Sequence, residues 1–307
     1  MENSMSITPC VLTALLSFTA VTLNILTIFA VKRTVALSKN LKLLLLNLVF
    51  SDTGVGLLVQ PLYFALLMME MDQMDPSSLS SIATYNAYLV TLNFFVASSF
   101  LGVTSLTADR FLAVHLHLRY QELVTYKRVV AVVTSNWLFS AFLSLLGLWR
   151  ENEAAYLILS IQSFCLFATA FFNLKLYSSV KQHTKQINTL QTYPGDQDSD
   201  KDRALRTERL KKSAVMIFCV YLVLLVCFLP NLIAGFIERA SNSVLSNERN
   251  KLGFMVIDML IFLNSCINPV IYCWKMKYIR HAVKNILRKI VLRTDSGNVY
   301  AEGGSFL

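Results

Sequence analysis

Five polar side chains lie at the middle of segments that are otherwise apolar. They are Asp52 in the second apolar segment, Ser99 in the third, and Asn264, Ser265 and Asn268 in the seventh. Asn264 and Asn268 are four residues apart, so they share one face of a helix. A carboxylate among hydroxyl and amide oxygens suits a hard cation, and this set predicts a pocket for a sodium ion with water. The alternative is a neutral Asp52 that hydrogen-bonds Asn268 without an ion.

A second group of residues could work as a switch. Asp109 and Arg110 are adjacent at the inner end of the third segment, where the guanidinium can pair locally and later take another partner. An ordinary charge pair at a helix end is the alternative. Pro230 in the sixth segment and Pro269 in the seventh each remove a backbone hydrogen bond, which predicts a kink or hinge in both helices.

Composition indicates a membrane protein. Of the 307 residues, 55% are hydrophobic and 15% are charged, whereas soluble domains carry about 25% charged residues. The sequence contains no metal-ligand cluster, nucleophile–base pair or phosphate-binding loop, so we do not expect an enzyme. Apart from the sodium ion, we expect no cofactor.

Hydropathy predicts an all-α protein, a bundle of seven membrane-spanning helices within residues 1–274. A span needs roughly 20 apolar residues, and seven segments meet this requirement: 8–31, 41–69, 81–114, 128–149, 154–181, 211–238 and 252–274. Most of the 28 Lys and Arg residues fall on the inner side if the N-terminus lies outside. We therefore expect a multi-pass plasma-membrane protein with an extracellular N-terminus.

The net charge of +9 follows from this topology and from attraction to the anionic inner leaflet of the lipid bilayer, so it does not call for a nucleic acid partner.

Residues 191–203 contain Pro-Gly and closely spaced acids and predict a linker between the fifth and sixth helices. The six cysteines fall within or at the ends of apolar segments, and we expect small buried hydrophobes rather than disulfide partners. Cys10 lies near the outer edge without an obvious partner.

Apolar residues recur at helical spacing after the seventh segment, with Lys and Arg on the other face. This predicts an amphipathic helix over residues 275–293 on the inner membrane surface; a soluble helix packed on the loops is the alternative. Residues 294–307 are expected to form a cytoplasmic tail. Its end, Ser305, Phe306 and Leu307, is similar to a ligand of a PDZ-domain protein.

Together these motifs resemble the rhodopsin-like (class A) G-protein-coupled receptors over nearly the whole chain. The matching positions are Asn24, Asp52, Asp109-Arg110-Phe111, Trp137, Tyr177, Cys227-Phe228-Leu229-Pro230 and Asn268-Pro269-Val270-Ile271-Tyr272. The resemblance implies a sodium ion in the resting state, an extracellular ligand, and a heterotrimeric G protein that binds when the sixth helix moves outward. The implied activation switches are Asp109, Arg110, Tyr177, Phe228, Pro230, Pro269 and Tyr272.

Departures from the family narrow the resemblance. Tyr85 stands where most members have a disulfide-forming Cys, and Thr169 stands where a fifth-helix Pro is usual. Phe228 replaces a Trp, and Leu210 replaces an acid that often restrains the third-helix arginine. These features look like the melanocortin, cannabinoid and lysophospholipid receptor group, and residues 118–125 look like melanocortin receptors in particular.

The ligand stays unassigned. Leu92 and Phe262 stand where amine receptors have an Asp and visual pigments a Lys, and the melanocortin acidic cluster is missing. Asp258 could bind a cationic group in a pocket that Asn93, Gln162 and Phe228 would also line. Pairing of Asp258 with a neighbouring polar group, or a place on an exposed rim, is the alternative.

Two other functions are weighed against a receptor. A transporter would show internal repeats or charged residues along a path, and the sequence has one acid at mid-depth and no repeat. A non-signalling scaffold would fit the PDZ-like C-terminus. Arg110 and Tyr272 favour a signalling receptor over a scaffold.

Overall fold

The computed structural model describes residues 2–35, 37–116, 119–149, 151–190, 197–241 and 248–302, and at several helix ends it describes the backbone without the side chains. Seven helices in this part of the chain are long and apolar enough to cross a bilayer, which confirms the predicted bundle. We number them first to seventh: Glu2–Arg33, Lys39–Met71, Leu79–His115, Tyr126–Trp149, Glu151–Leu190, Gln197–Ser241 and Glu248–Lys275.

The bundle carries its apolar side chains outside and its polar side chains inside. Phe18 and Phe167 are 74% and 76% exposed, whereas Asn24 and Asp52 are buried. Lipid tolerates this arrangement because it accepts apolar groups and offers no hydrogen bonds to polar ones. The protein is therefore a multi-pass membrane protein.

The second helix contains an irregularity that the sequence analysis did not predict. Its two α-helical parts, Lys39–Gly54 and Gln60–Met71, are joined by a π-helical turn at Val55–Val59. A π-helical turn holds more residues than an α-helical one, so it rotates the outer half of the helix relative to the inner half. Ser17 Oγ donates a hydrogen bond to the carbonyl oxygen of Gly56 at 2.8 Å, which ties the first helix to this turn.

Gly54 sets the close approach of the second and third helices. A Cβ atom at this position would lie 2.1 Å from Cε1 of Phe95, so even an alanine would require the phenyl ring to move. Phe95 and Phe94 in turn pack on Trp137, with ring centroids 6.3 and 5.3 Å away. Trp137 therefore fastens the fourth helix to the third.

The inner ends of the fifth and sixth helices extend beyond the predicted spans. The fifth helix continues to Leu190 and the sixth begins at Gln197. Residues 197–203 of the predicted linker are therefore helical, and residues 191–196 lie outside the described part of the chain.

A helix follows the seventh span, as predicted. It covers Lys277–Glu302 and so continues past the expected end at residue 293. Ile279 and Ile286 on its apolar face are buried, and the helix contacts the first and seventh helices. The PDZ-like residues Ser305, Phe306 and Leu307 lie outside the described residues.

Candidate functional site

The polar core consists of Asp52, Ser99, Asn264, Ser265 and Asn268, all of which are buried. Asn268 Nδ2 donates a hydrogen bond to Asp52 Oδ2 at 2.9 Å and so joins the second and seventh helices. Four oxygens of the polar core have no hydrogen-bond partner among the described residues: Asp52 Oδ1, Ser99 Oγ, Asn264 Oδ1 and Asn268 Oδ1. Buried oxygens without partners are costly. A set of one carboxylate with neutral oxygens fits a hard monovalent cation and water.

Asn24 supports the polar core from the first helix. Pro269 has no backbone N–H, so the carbonyl of Ser265, four residues earlier, loses its helical donor. Asn24 Nδ2 donates to that carbonyl at 2.9 Å and to the carbonyl of Ala20 at 2.8 Å. The side chain thus satisfies the group that the proline frees, as a bilayer requires.

The inner switch consists of Asp109, Arg110 and Tyr120. Arg110 Nε donates to Asp109 Oδ2 at 2.9 Å, and Nη2 of Arg110 pairs with the same oxygen. The Tyr120 hydroxyl donates to Asp109 Oδ1 at 2.7 Å, and Asn40 Nδ2 donates to the backbone carbonyl of Val124 at 2.9 Å. Both oxygens of Asp109 are therefore engaged, which holds the third helix to the second inner loop.

Burial, together with the hydrogen bond to Asp109, raises the pKa of Tyr120 to about 12, so at neutral pH the phenol keeps the proton that it donates. The sequence analysis missed Tyr120. A tyrosine in a short inner loop, close after an Asp-Arg pair, is the signal that could have identified it.

The other predicted switch residues occupy different environments. Phe228 is fully buried and packs against Phe100 with ring centroids 4.8 Å apart, so the third and sixth helices touch just before Pro230. Tyr272 is fully buried, and its hydroxyl has no partner among the described residues. Tyr177 is 68% exposed, on the face of the fifth helix that points away from the bundle, so the structure does not bring it to Arg110.

Thr169, at the position where the family has a proline, forms a contact with the third helix. Its Oγ1 lies 2.9 Å from Oγ1 of Thr104. Thr104 also donates to the carbonyl of Phe100 at 2.8 Å, so Thr169 is the donor within the pair. The threonine therefore fastens the fifth helix to the third.

An outer cavity of about 390 Å³ lies between the third, fourth, fifth, sixth and seventh helices. Asn93, Gln162 and Asp258 all line it, so the structure brings together the three residues predicted for a ligand pocket. Much of the wall is apolar, with Leu89, Leu92, Leu159 and Ile261 among its residues. Phe228, which was also considered for the pocket, is not among the lining residues.

Two polar groups of the outer cavity have contrasting partners. Asp258 Oδ1 accepts a hydrogen bond from the Tyr88 hydroxyl at 3.1 Å, so the neighbouring polar group considered as an alternative is present, and the carboxylate still lines the cavity. Gln162 is 5% exposed, and its Oε1 has no partner among the described residues. Tyr88 was missed because contacts across helices do not show in sequence spacing.

The remaining charges of the outer cavity cancel. Glu238 and Arg239 also line it, and Arg239 Nη1 lies 3.6 Å from Glu238 Oε2. The guanidinium also lies 5.7 Å from the ring centroid of Tyr156, a cation–π contact. Asp258 is therefore the charged lining residue that has no cationic partner among the other lining residues.

Comparison with known proteins identifies the family. The model of the 7 transmembrane receptor (rhodopsin family) matches residues 23–272. Adenosine receptor A2b of Gallus gallus is 24% identical in an alignment of 332 positions, which covers 95% of this chain and 92% of that receptor. The alpha-1A adrenergic receptor of Mus musculus is 25% identical over 67% of this chain and 53% of its own length. Melanocortin receptor 5 of Homo sapiens is 24% identical over 62% of this chain and 57% of its own length.

The chain therefore belongs to the rhodopsin family of seven-transmembrane, G-protein-coupled receptors. Its partners are an extracellular ligand and a heterotrimeric G protein. It is a receptor rather than an enzyme, and neither a scaffold nor a transporter is favoured. The matched range includes the polar core, the inner switch and the residues that line the outer cavity.

Proposed function

We propose that this receptor binds a small organic ligand with one positive charge in the outer cavity. The observation that carries the proposal is the convergence of Asn93, Gln162 and Asp258, from three different helices, on one cavity. Because Glu238 and Arg239 pair with each other, the field inside the outer cavity is set by Asp258 and favours a cation.

The lining chemistry narrows the ligand further. Asp258 would accept an ammonium or similar cationic group, while Gln162 Oε1 would accept a second donor. Leu89, Leu159 and Ile261 would contact an apolar body between them. A cavity of about 390 Å³ falls within the range of roughly 300–1,000 Å³ that holds small ligands. The ligand is therefore amphipathic, with two hydrogen-bond donors, one of them charged.

Signal transmission in this proposal uses the polar core and the inner switch. In the resting state the five polar-core residues would hold a sodium ion, which supplies a positive charge beside Asp52. On activation Arg110 would leave Asp109, Tyr177 and Tyr272 would turn towards it, and the sixth helix would move outward about Pro230. The buried Arg110 pair and the unpartnered oxygens of the polar core support this sequence.

The receptor would work at the plasma membrane with its N-terminus outside, because most basic residues then face the anionic inner leaflet. The same basic inner segments would dock the G protein. The helix Lys277–Glu302 would lie along the inner membrane surface. The C-terminal Ser305, Phe306 and Leu307 would bind a PDZ-domain protein.

The ligand proposal is tested by screening monocationic amphipathic compounds against cells expressing the wild type, Asp258→Asn or Glu238→Gln at equal surface levels. Compounds that activate the wild type should lose at least about tenfold in potency at Asp258→Asn, which corresponds to about 1.4 kcal/mol. They should change little at Glu238→Gln, because that charge is already paired. Agonists with equal potency at wild type and Asp258→Asn would contradict the proposal.

A further inference from the structure

A cluster of sulfur atoms lies at the outer ends of the first, second and seventh helices, apart from the outer cavity and the polar core. Cys10 Sγ lies 3.8 Å from Met71 Sδ, across 61 residues of sequence. One helical turn further along the first helix, Thr13 Oγ1 lies 3.8 Å from Met259 Sδ. Cys10 and Thr13 are three residues apart and share a face of that helix, so a thiol and two thioethers line the same side of the first helix.

We propose that Cys10 and Met71 bind a soft monovalent metal ion, copper(I), while the thioether of Met259 lies against Thr13, one turn further along the first helix. Thiolate and thioether sulfur select copper(I) over the harder metals that prefer oxygen and imidazole. Two sulfurs bound to one ion at about 2.3 Å, the length of a typical zinc–sulfur bond, lie roughly 4 Å apart at a trigonal angle. The observed separation of 3.8 Å therefore needs little rearrangement.

The surroundings of this sulfur site suit an ion of single charge. Cys10 is 6% exposed, and binding releases the thiol proton to solvent, so the thiolate and copper(I) together are neutral. A neutral pair tolerates the edge of the bilayer, whereas a divalent ion would leave a net positive charge there. Among the described residues, no group of three His, Cys, Asp or Glu side chains that could hold a divalent metal is found.

Exposed thioethers surround the sulfur site at the end of the second helix. Met71 is 37% exposed, and Met68 and Met74, three residues to either side, are 38% and 41% exposed. Met71 ends the second helix, and the chain then turns through Asp72 and Gln73, the latter with φ of 52°. An ion can therefore pass from exposed thioethers to the buried thiol without crossing the bundle.

Occupation of the sulfur site would join the outer ends of the first and second helices through the metal. Met259 directly follows Asp258 in the seventh helix, so the sulfur site and the outer cavity lie on neighbouring residues of one helix. The proposal does not depend on the ligand assigned to the outer cavity.

The test titrates the purified full-length receptor in nanodiscs with copper(I), under ascorbate, against a chromophoric copper(I) chelator. The variants are Cys10→Ser, Met71→Leu, which keeps the side-chain size, and Cys273→Ser, which removes a cysteine at the inner end. Monodisperse elution confirms folding for each. We expect one copper(I) per wild-type receptor, at least tenfold weaker binding for Met71→Leu, no binding above background for Cys10→Ser, and wild-type binding for Cys273→Ser.

Absorption at the copper edge should show coordination by two or three sulfur atoms. Equal binding by Met71→Leu and wild type would overturn the proposal, because copper would then bind any available thiol. Equal losses in Cys10→Ser and Cys273→Ser would overturn it for the same reason. If Cys10→Ser fails to fold, the Met71→Leu result and the absorption spectrum decide the question.

Discussion

Asp52 in the polar core and Asp258 in the outer cavity are both carboxylates that face the inside of the bundle, but their surroundings differ. Asp52 is buried and accepts a hydrogen bond from Asn268, among oxygens that have no partner in the described protein. Asp258 is partly exposed, accepts a hydrogen bond from Tyr88 and lines an open cavity. The same chemical group is thus suited to a small ion in one place and to an organic cation in the other.

The two regions also differ in how closely they follow the family. The polar core and the inner switch keep the motifs of rhodopsin-like receptors, whereas the outer cavity lies where Tyr85 and Leu92 depart from them. Signalling requires a fixed set of groups that meet a shared partner, the G protein. Ligand recognition requires different groups for each ligand. The resemblance to rhodopsin-like receptors therefore predicts the residues of the outer cavity less well than those of the polar core and the inner switch.

The largest effect is expected from adding a side chain beside the polar core, where the helices pack closely, rather than beside the outer cavity, where there is space. Gly54→Val places a branched side chain against Phe95 beside the polar core and should cost about 1–3 kcal/mol or more, with loss of most surface expression. Gly147→Val is the matched control, because Gly147 lines the outer cavity and a Cβ there meets nothing within 4 Å. Surface labelling and the Tm of purified receptor measure both. Equal loss for the two variants would contradict the contrast.

The next prediction separates the two carboxylates. Sodium chloride should raise the Tm of the wild type above that in choline chloride at the same concentration. At ten times the sodium Kd, the expected gain in the free energy of unfolding is about 1.4 kcal/mol. Asp52→Asn should remove this difference, and Asp258→Asn should retain it. A sodium effect that survives Asp52→Asn, or is lost at Asp258→Asn, would show that the ion does not bind in the polar core.

A smaller effect is expected at the inner switch. Tyr120→Phe removes the donor to Asp109 Oδ1, and one such hydrogen bond contributes about 0.5–1.5 kcal/mol. Because this contact holds the resting arrangement, ligand-free G-protein activation should rise by roughly two- to tenfold. Tyr126 is a half-exposed tyrosine at the start of the fourth helix, and Tyr126→Phe should leave ligand-free activation unchanged. A fall in ligand-free activation for Tyr120→Phe would instead show that the hydroxyl stabilises the active state.

The smallest expected effect concerns Thr169. Thr169→Val keeps the side-chain shape and removes the hydrogen bond to Thr104, which should cost about 0.6 kcal/mol, the average for such bonds between membrane helices. Thr104→Val, and the double variant, complete a mutant cycle read by Tm. Strict additivity of the two single effects would show that the hydroxyl pair does not couple the third and fifth helices.

Hydropathy and charge were sufficient to predict the seven spans, because a bilayer imposes length and polarity on each helix separately. The contact of Asp52 with Asn268 was also predictable, since a lone Asp and nearby amides are conspicuous in apolar segments. The contacts of Asp258 with Tyr88 and of Cys10 with Met71 were not, because they depend on the depth and rotation of separate helices. The π-helical turn at Val55–Val59 has no repeating pattern, so hydropathy gives no signal for it.

The inner ends were predicted least well. The sixth helix begins at Gln197, within the predicted linker, and the fifth helix continues to Leu190, beyond its predicted span. Charged residues can extend a helix into water without any apolar face. Tyr120 was overlooked since its role depends on the fold of the second inner loop. Both errors concern regions outside the bilayer, where the constraint that made the spans predictable is absent.

In the proposed mechanism Arg110 and its partners transmit the signal to a G protein. The most direct measurement is ligand-free activation across all classes of Gα subunit, for the wild type beside Arg110→Ala at matched surface expression. We predict a wild-type signal in at least one class and a fall of about tenfold or more in the variant. A wild-type signal that Arg110→Ala leaves unchanged would contradict the account.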